Sequence, residues 1–192
     1  MPAWAIILIV FGCLIVFLGI IFAIWWISTY NGLIKLRNNA EEGYSTMDVS
    51  MKKRYDLIPN LVETVKGFAK HEKETLEGVM EARYACMSAN DPEERAQKEN
   101  MLAGTLKTLF SVTENYPQLK ADANFNSLQN TLKELETEIA SSRKYYNGCV
   151  KMFNNKIEMF PSNLIANHYH FEKKVLFEIV DEVERQAPQV KF

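Results

Sequence analysis

The chain opens with a long apolar segment and continues as polar, helix-patterned sequence. Residues 3–27 are apolar apart from two glycines and a cysteine, and no charged side chain precedes Lys35. About 20 helical residues cross the ~30 Å hydrocarbon layer of a bilayer, and a single helix satisfies its own backbone hydrogen bonds there. The pattern therefore predicts one membrane-spanning helix at the N-terminus.

Aromatic residues mark both ends of this segment. Trp4 stands at one end, and Trp25, Trp26 and Tyr30 cluster at the other, so these four residues are the predicted anchors at the membrane interfaces. A cleaved signal peptide is the first alternative, but it requires a basic N-terminal region, a shorter apolar stretch and small residues before the cleavage site. A buried core helix is the second, although such helices rarely stay uncharged over this length.

Basic residues near the segment predict its orientation. None precedes it, whereas Lys35 and Arg37 follow closely and three more occupy positions 52–54. Positively charged flanks remain on the cytoplasmic side. We therefore expect an inner-membrane (cytoplasmic-membrane) protein with its N-terminus outside and its remaining domain in the cytoplasm.

The clearest helical pattern lies between residues 125 and 160. Its apolar positions recur at steps of three and four that alternate almost throughout, which is the near-heptad spacing of a coiled-coil stripe. The stripe comprises Phe125, Leu128, Leu132, Leu135, Ile139, Ser142, Tyr146, Cys149, Phe153, Ile157 and Phe160. A helix of ~36 residues cannot bury such a stripe by itself, so further helices must pack along it.

Three other segments carry the same periodicity. The first runs from Leu33 to Ile58 and can continue directly from the membrane span, and the second runs from Leu61 to Cys86. The third begins at Asp91, a good N-cap with Pro92 at the first helical position, and ends before Pro117. Pro59 predicts a kink or short break between the first two segments, and a hinge or binding notch is the alternative.

These patterns predict an all-α fold. It consists of an N-terminal transmembrane helix, an elongated antiparallel bundle of about four long helices and a short C-terminal helix. The predicted divisions are a membrane span (1–30), a cytoplasmic bundle (31–167) and a tail (168–192) with its helix around 175–184.

Net charge and cysteine spacing both limit the possible functions. The net charge of −2 is too balanced for a nucleic-acid-binding surface. Cys86 and Cys149 have no metal-ligand spacing, so they are predicted to be small buried side chains, with a disulfide between them as the alternative.

The inventory of catalytic residues is equally thin. His71 lies on a charged helix face, His168 and His170 lack further ligands at a zinc spacing, and residues 134, 136 and 138 form an ordinary solvated acidic surface. Phosphate-binding glycine loops and nucleophile motifs are absent from the sequence. We therefore expect a protein that is not an enzyme, with no catalytic, cofactor-binding or metal-binding residue and no nucleic-acid partner.

Several stretches together resemble the LemA family. The most recognisable is Lys53–Val62 (KRYDLIPNLV), and the others are Tyr30–Asn38, Glu114–Ala121, the helix from Leu128 to Asn147, and Phe160–Asn163. They cover about residues 28–167 in unchanged order. Gly43-Tyr44 stands where the family usually has an Ala-Trp pair, and the final 20 residues differ from it.

This resemblance implies a membrane anchor and a cytoplasmic bundle of long helices, without an established enzymatic activity. The residues of the family motifs form a candidate partner surface: Arg54, Tyr55, Asp56, Pro59, Asn60, Tyr116 and Pro117. The expected function is that of a membrane-anchored scaffold or adaptor that self-associates or holds other inner-membrane proteins. A regulatory or sensory subunit that acts through helix repacking on a membrane enzyme is the alternative.

Surplus apolar residues near the C-terminus predict a homo-oligomer, in addition to contact with membrane lipid. They are Met152, Met159, Leu164, Phe171, Val175, Leu176 and Phe177. The alternative is that these residues fold back onto their own bundle.

Overall fold

The computed structural model describes residues 2–178, and every regular element within that range is an α-helix. The predicted all-α class is therefore confirmed. The six helices of this range are α1 (Ala3–Phe68), α2 (Lys73–Ser88), α3 (Pro92–Thr113), α4 (Pro117–Lys120), α5 (Ala123–Glu158) and α6 (Ser162–His168).

Helix α1 continues through Pro59, so the predicted break at this proline is wrong. A proline lacks the N–H that would bond to the carbonyl four residues earlier, here that of Tyr55. The Nε–H of Arg83 donates to this carbonyl oxygen at 2.6 Å. A side chain from α2 thus replaces the missing backbone donor, and the interruption falls at residues 69–72 instead. The predicted Leu61–Cys86 segment is consequently divided between α1 and α2.

The start of α3 agrees with its sequence signals. The carboxylate of Asp91 accepts a hydrogen bond from the backbone N–H of Glu94 at 2.8 Å, and Pro92 occupies the first helical position. The Glu94 carboxylate in turn accepts from the N–H of Asn90 at 3.3 Å. These two bonds satisfy backbone donors that a helix N-terminus leaves free.

The chain forms two compact units, and both α1 and α5 contribute to each. Among the described residues, the first unit contains residues 2–41 together with Gly148–Lys174, and the second contains Glu42–Asn147 and residues 175–178. The second unit buries apolar residues from α1, α2, α3 and α5. Its core includes Met47, Met51, Ile58, Leu61, Val65, Leu76, Val79, Leu102, Leu106, Leu109, Phe125, Leu132, Leu135, Ile139 and Tyr146.

Gly43 permits a close approach of α1 and α5 in the second unit. A Cβ atom at this position would lie 3.1 Å from Cδ1 of Tyr145 and 3.2 Å from the backbone Cα of Tyr146. The neighbouring Tyr44 ring packs against the Tyr146 ring with 5.6 Å between their centroids. The Gly-Tyr pair is therefore matched to two tyrosines on the facing helix.

The core of the first unit combines residues from α1, α5 and α6. Its buried members are Leu33, Phe153, Ile157, Ile165 and Ala166, with Trp25, Trp26, Tyr30, Leu36 and Phe171 packed around them. Phe160 was the final member of the predicted stripe, but it lies beyond the end of α5 at Glu158 and is 79% exposed. Its assignment to the core is therefore wrong.

The tail differs from the sequence prediction. Residues 171–178 are not helical, so the expected 175–184 helix is wrong over its first four positions, and its remainder lies outside the described residues. In the second unit the side-chain amide of Asn147 accepts from the Phe177 N–H at 2.8 Å and donates to the Phe177 carbonyl at 3.1 Å. The Tyr146 hydroxyl donates to the carbonyl of Val175 at 2.8 Å.

Two residues of the predicted self-association patch are packed within their own units. Phe177 is 1% exposed. Phe171 is half-buried, with its ring centroid 6.2 Å from that of Phe153. The patch therefore does not include these two side chains, whereas Met152, Met159, Leu164 and Val175 are exposed.

Candidate functional site

A buried ionic cluster lies inside the second unit. Arg54 of α1 is 2% exposed, and its guanidinium donates through Nη1 to Glu136 of α5 at 2.5 Å and through Nη2 to Glu99 of α3. Glu99 is itself 1% exposed. An unpaired charge in a protein interior is very unfavourable, so Arg54 and Glu99 each make the burial of the other tolerable.

Tyr55 and Arg83 extend the cluster. The Tyr55 hydroxyl donates to the second carboxylate oxygen of Glu99, and burial raises the pKa of this phenol above its usual value. The hydroxyl therefore remains protonated and stays a donor at neutral pH. Because Arg83 of α2 holds the Tyr55 carbonyl, polar contacts connect α1 with α2, α3 and α5.

Cys86 and Arg95 border these residues. Cys86 is fully buried, and burial raises the pKa of its thiol, which favours the neutral form. Cys86 and Cys149 are both free cysteines, so the alternative of a disulfide between them is not realised. Arg95 of α3 pairs with Asp48 of α1 and also donates to the Ala89 carbonyl at 3.1 Å.

The arrangement holds helices together. Opposite charges face one another, and the Glu99 carboxylate accepts from both Arg54 and Tyr55. Within residues 2–178, no group of three or more histidine, cysteine, aspartate or glutamate side chains is placed to hold a metal ion. The bonds from Arg54 and Tyr55 to carboxylates of α3 and α5 give the ionic cluster a structural role in fixing α1 against its neighbours.

Most of the cluster was missed by the sequence analysis, although a signal was present. Arg54 lies three residues after Met51 and four before Ile58, both of which are core positions of α1. Glu99 likewise lies between Ala96 and Leu102 on the buried face of α3. Opposite charges on the apolar stripes of two helices are typical of a buried pair.

The prediction for Glu136 also needs a correction. Residues 134, 136 and 138 were expected to form an ordinary solvated surface. The Glu136 side chain is 46% exposed, but it bonds the buried Arg54, and Glu138 lies 3.9 Å from the exposed Lys53.

The residues of the predicted partner surface differ in how deeply they are buried. Arg54 and Tyr55 lie inside the unit, so they do not belong to a surface of the described chain. Pro59 and Tyr116 are half-buried, and the Tyr116 hydroxyl donates to Glu72 at 2.8 Å. The exposed members, for which a role in partner binding remains a prediction, are Asp56, Asn60 and Pro117.

A groove of about 580 Å³ lies between α1 and α2 in the second unit. Apolar side chains form part of its lining, and Tyr84 at its edge is 58% exposed. Charges of both signs surround the apolar part. They are Glu63, Lys66, Lys70, Lys73, Glu77 and Glu81. This groove presents both an apolar contact area and a polar rim, which is the usual composition of a protein-binding surface.

The apolar stretch of α1 ends in an aromatic cluster within the first unit. Trp25 and Trp26 are half-buried, and their ring centroids lie 6.4 Å apart. Tyr169 packs 4.5 Å from the Tyr30 ring, and its hydroxyl lies 3.4 Å from the indole Nε1 of Trp26. Trp4, at the opposite end of the stretch, is 66% exposed.

Among the described residues, one helix is long and apolar enough to cross a membrane, and it is α1. The most apolar part of this helix is not buried against the rest of the described chain, whereas the core helix of a soluble protein is mostly buried. The stretch is of the kind found in membrane anchors and signal sequences.

Comparison with known proteins agrees with the motif resemblance. The model of the LemA family matches residues 43–192, which is most of the chain. The protein belongs to the LemA family. A curated relative, Protein LemA of Metamycoplasma hominis, is 24% identical over 169 residues, covering 86% of this chain and 75% of the relative.

The LemA family match begins at Gly43, after the apolar stretch, and includes the whole ionic cluster. The Lys53–Val62 motif therefore contains Arg54 and Tyr55, which hold Glu99, as well as Pro59, whose missing hydrogen bond is compensated by Arg83. In this chain, much of the most recognisable LemA stretch serves the packing of α1 in the second unit.

Proposed function

We propose that the protein is a non-enzymatic, single-pass membrane scaffold whose helical domain holds partner proteins at the membrane or associates with further copies of itself. The observation that carries this proposal is the composition of α1. Its first part is uncharged and exposes apolar side chains, and the same helix continues into the buried core positions Leu33, Ala40 and Met47. An anchor of this kind confines the domain to a membrane surface, which raises the effective concentration of partners there.

We further propose that the N-terminus faces outward and that the domain lies in the cytoplasm at the inner membrane. Lys35 and Arg37 follow the uncharged stretch, and positively charged flanks stay on the cytoplasmic side. A reporter fused after Phe192 should be active if it requires the cytoplasm, whereas alkaline phosphatase at the same position should be inactive. The reverse pair of activities would reject this orientation, and release of a shortened soluble protein would indicate a cleaved signal sequence.

The groove between α1 and α2 supports the scaffold role. Its mixed-charge rim and apolar lining fit a partner helix with apolar residues flanked by charges of both signs. Photo-crosslinking from Tyr84 in native membranes, followed by purification of the tagged full-length protein, should yield defined adducts. Tyr84→Ser should reduce their recovery when crosslinking starts from Met80, another lining residue.

Met101→Ser is the matched control, since Met101 lies on α3 and is 56% exposed. It should leave the adducts unchanged. Co-expression of differently tagged copies separates self-association from binding to other proteins. If no adduct forms with either class of protein, the scaffold proposal fails.

A regulatory subunit is the second candidate function, favoured by the buried ionic cluster. Buried charge pairs can specify one helix arrangement over others, and such elements serve as switches in some proteins. In that case a substitution in the cluster should change the activity of a captured membrane enzyme while the enzyme remains bound. In a scaffold, the same substitution should change only the amount of partner recovered.

A further inference from the structure

Residues 159–164, which form the turn between α5 and α6 and the first three residues of α6, expose an unusual concentration of large apolar side chains. We call this segment the elbow. Met159 is 61% exposed, Phe160 is 79% exposed and Leu164 is 53% exposed. The sequence from Met159 to Asn167 carries no charged residue. Such a contiguous apolar exposure is expected where a surface meets another protein or a membrane.

The elbow lies beside the end of the apolar stretch of α1. Both belong to the first unit, where Ile165 and Ala166 of α6 share a core with Leu33. At the end of α6, the His168 ring packs 5.6 Å from that of Trp26. A helix of seven residues is only ~10 Å long, so the elbow remains close to the level at which α1 would leave a bilayer.

Several backbone groups in and beside the elbow are hydrogen-bonded within the protein, which suits an apolar environment. The Ser162 hydroxyl lies 2.7 Å from the Lys156 carbonyl oxygen and 2.8 Å from that of Met159, so it can donate to these groups at the end of α5. The N–H of Asn163 bonds to the Met159 carbonyl at 2.9 Å, and that of Leu164 bonds to the Pro161 carbonyl at 3.2 Å. Internal bonding of this kind lowers the cost of removing backbone groups from water.

Two neighbouring cations are already paired with carboxylates. Lys173 pairs with Glu158, and the Lys174 ammonium lies 3.2 Å from the carboxylate of Glu41. The apolar side chains, rather than these lysines, therefore dominate what the elbow offers to a membrane. Contact with it should depend little on the charge of the lipid headgroups.

We propose that the elbow is a second membrane-contacting element, in which Met159, Phe160 and Leu164 enter the interfacial layer of the bilayer that holds α1. The occupant of this apolar surface is phospholipid at the boundary between headgroups and acyl chains. The aromatic cluster at Trp26 and the uncharged sequence of the elbow are the observations that favour lipid over a second protein copy. This inference rests on the proposed membrane span of α1.

Quenching of tryptophan fluorescence by brominated phosphatidylcholine tests the proposal in the full-length protein reconstituted into vesicles. The native Trp4, Trp25 and Trp26 report on the anchor. The variant Phe160→Trp adds emission from the elbow, obtained as the difference from the wild-type protein. Phe68→Trp is the matched control, because Phe68 is 41% exposed and lies 41 residues beyond Ile27 along α1.

We expect the added emission of Phe160→Trp to be blue-shifted and to lose more than half of its intensity in brominated vesicles. The loss should be the same after phosphatidylglycerol is included, and the emission that Phe68→Trp adds to that of the wild-type protein should not be quenched. If the native tryptophans are quenched but the emission added by Phe160→Trp is not, the elbow proposal is overturned and the anchor remains intact. A blue shift without quenching would assign the elbow to a protein contact and also overturn it. Unquenched native tryptophans would reject the anchor itself.

Discussion

Replacing Arg54 with alanine is expected to reduce the free energy of unfolding by about 3–5 kcal/mol, because the buried Glu99 would lose its countercharge. Glu136 would also lose a hydrogen-bond donor, but it is half-exposed and can be hydrated. Chemical unfolding of the full-length protein in mild detergent, followed by circular dichroism, measures the difference. The measured difference in the free energy of unfolding reports stability alone and does not depend on any partner.

Lys53→Ala is the matched control on the preceding position of α1. The Lys53 ammonium lies 3.9 Å from Glu138, and both side chains are about half-exposed, so its loss should cost less than about 1 kcal/mol. A paired replacement, Arg54→Met with Glu99→Leu, should be less destabilising than Arg54→Ala because it leaves neither charge alone in the interior. Equal costs for Arg54→Ala and Lys53→Ala would show that the ionic cluster does not hold the second unit together.

Leu135→Ala should reduce the free energy of unfolding by about 2–5 kcal/mol, the usual cost of truncating a buried leucine. Leu135 lies on the buried stripe of α5 and is 7% exposed. Lys133→Ala, on the exposed face of the same helix, should change it by less than about 0.5 kcal/mol. Thermal unfolding of both full-length variants under the same conditions checks the assignment, and a similar shift for the two would place the stripe on the wrong face.

The helices themselves were largely predictable because their signals are local and repeated. The three-and-four spacing of α5 correctly identified Leu132, Leu135 and Ile139 as buried, and the Asp91-Pro92 start of α3 follows from its capping chemistry. Such periodic patterns reflect the one face of a helix that must leave water.

The predictions failed where a distant residue changes the local outcome. Pro59 would interrupt a solitary helix, but Arg83 satisfies the carbonyl that the proline leaves free. The relation between these residues is tertiary, and no local propensity encodes it. The assignment of Phe160 to the buried stripe failed for a different reason. Phe160 continues the apolar spacing of α5, but the helix has already ended at Glu158.

The candidate ionic cluster was only partly accessible from sequence. Arg54 and Tyr55 were singled out through a motif and assigned to a surface, whereas their burial follows from Glu99 on another helix. A charged residue at a core position signals that a partner exists, but it does not identify the partner. The choice among the chain's many acidic residues depends on how the helices are paired in space.

The attachment of the non-helical segment around Phe177 has a consequence for how the sequence of that segment can change. Asn147 bonds to the N–H and C=O of Phe177, and Tyr146 bonds to the carbonyl of Val175, so all three contacts are to backbone groups that nearly every amino acid possesses. The buried Phe177 ring adds a demand on side-chain identity. The segment can therefore diverge at most positions while keeping its place, provided that an aromatic or similarly large apolar residue remains at 177 and the two recognising side chains on α5 are retained.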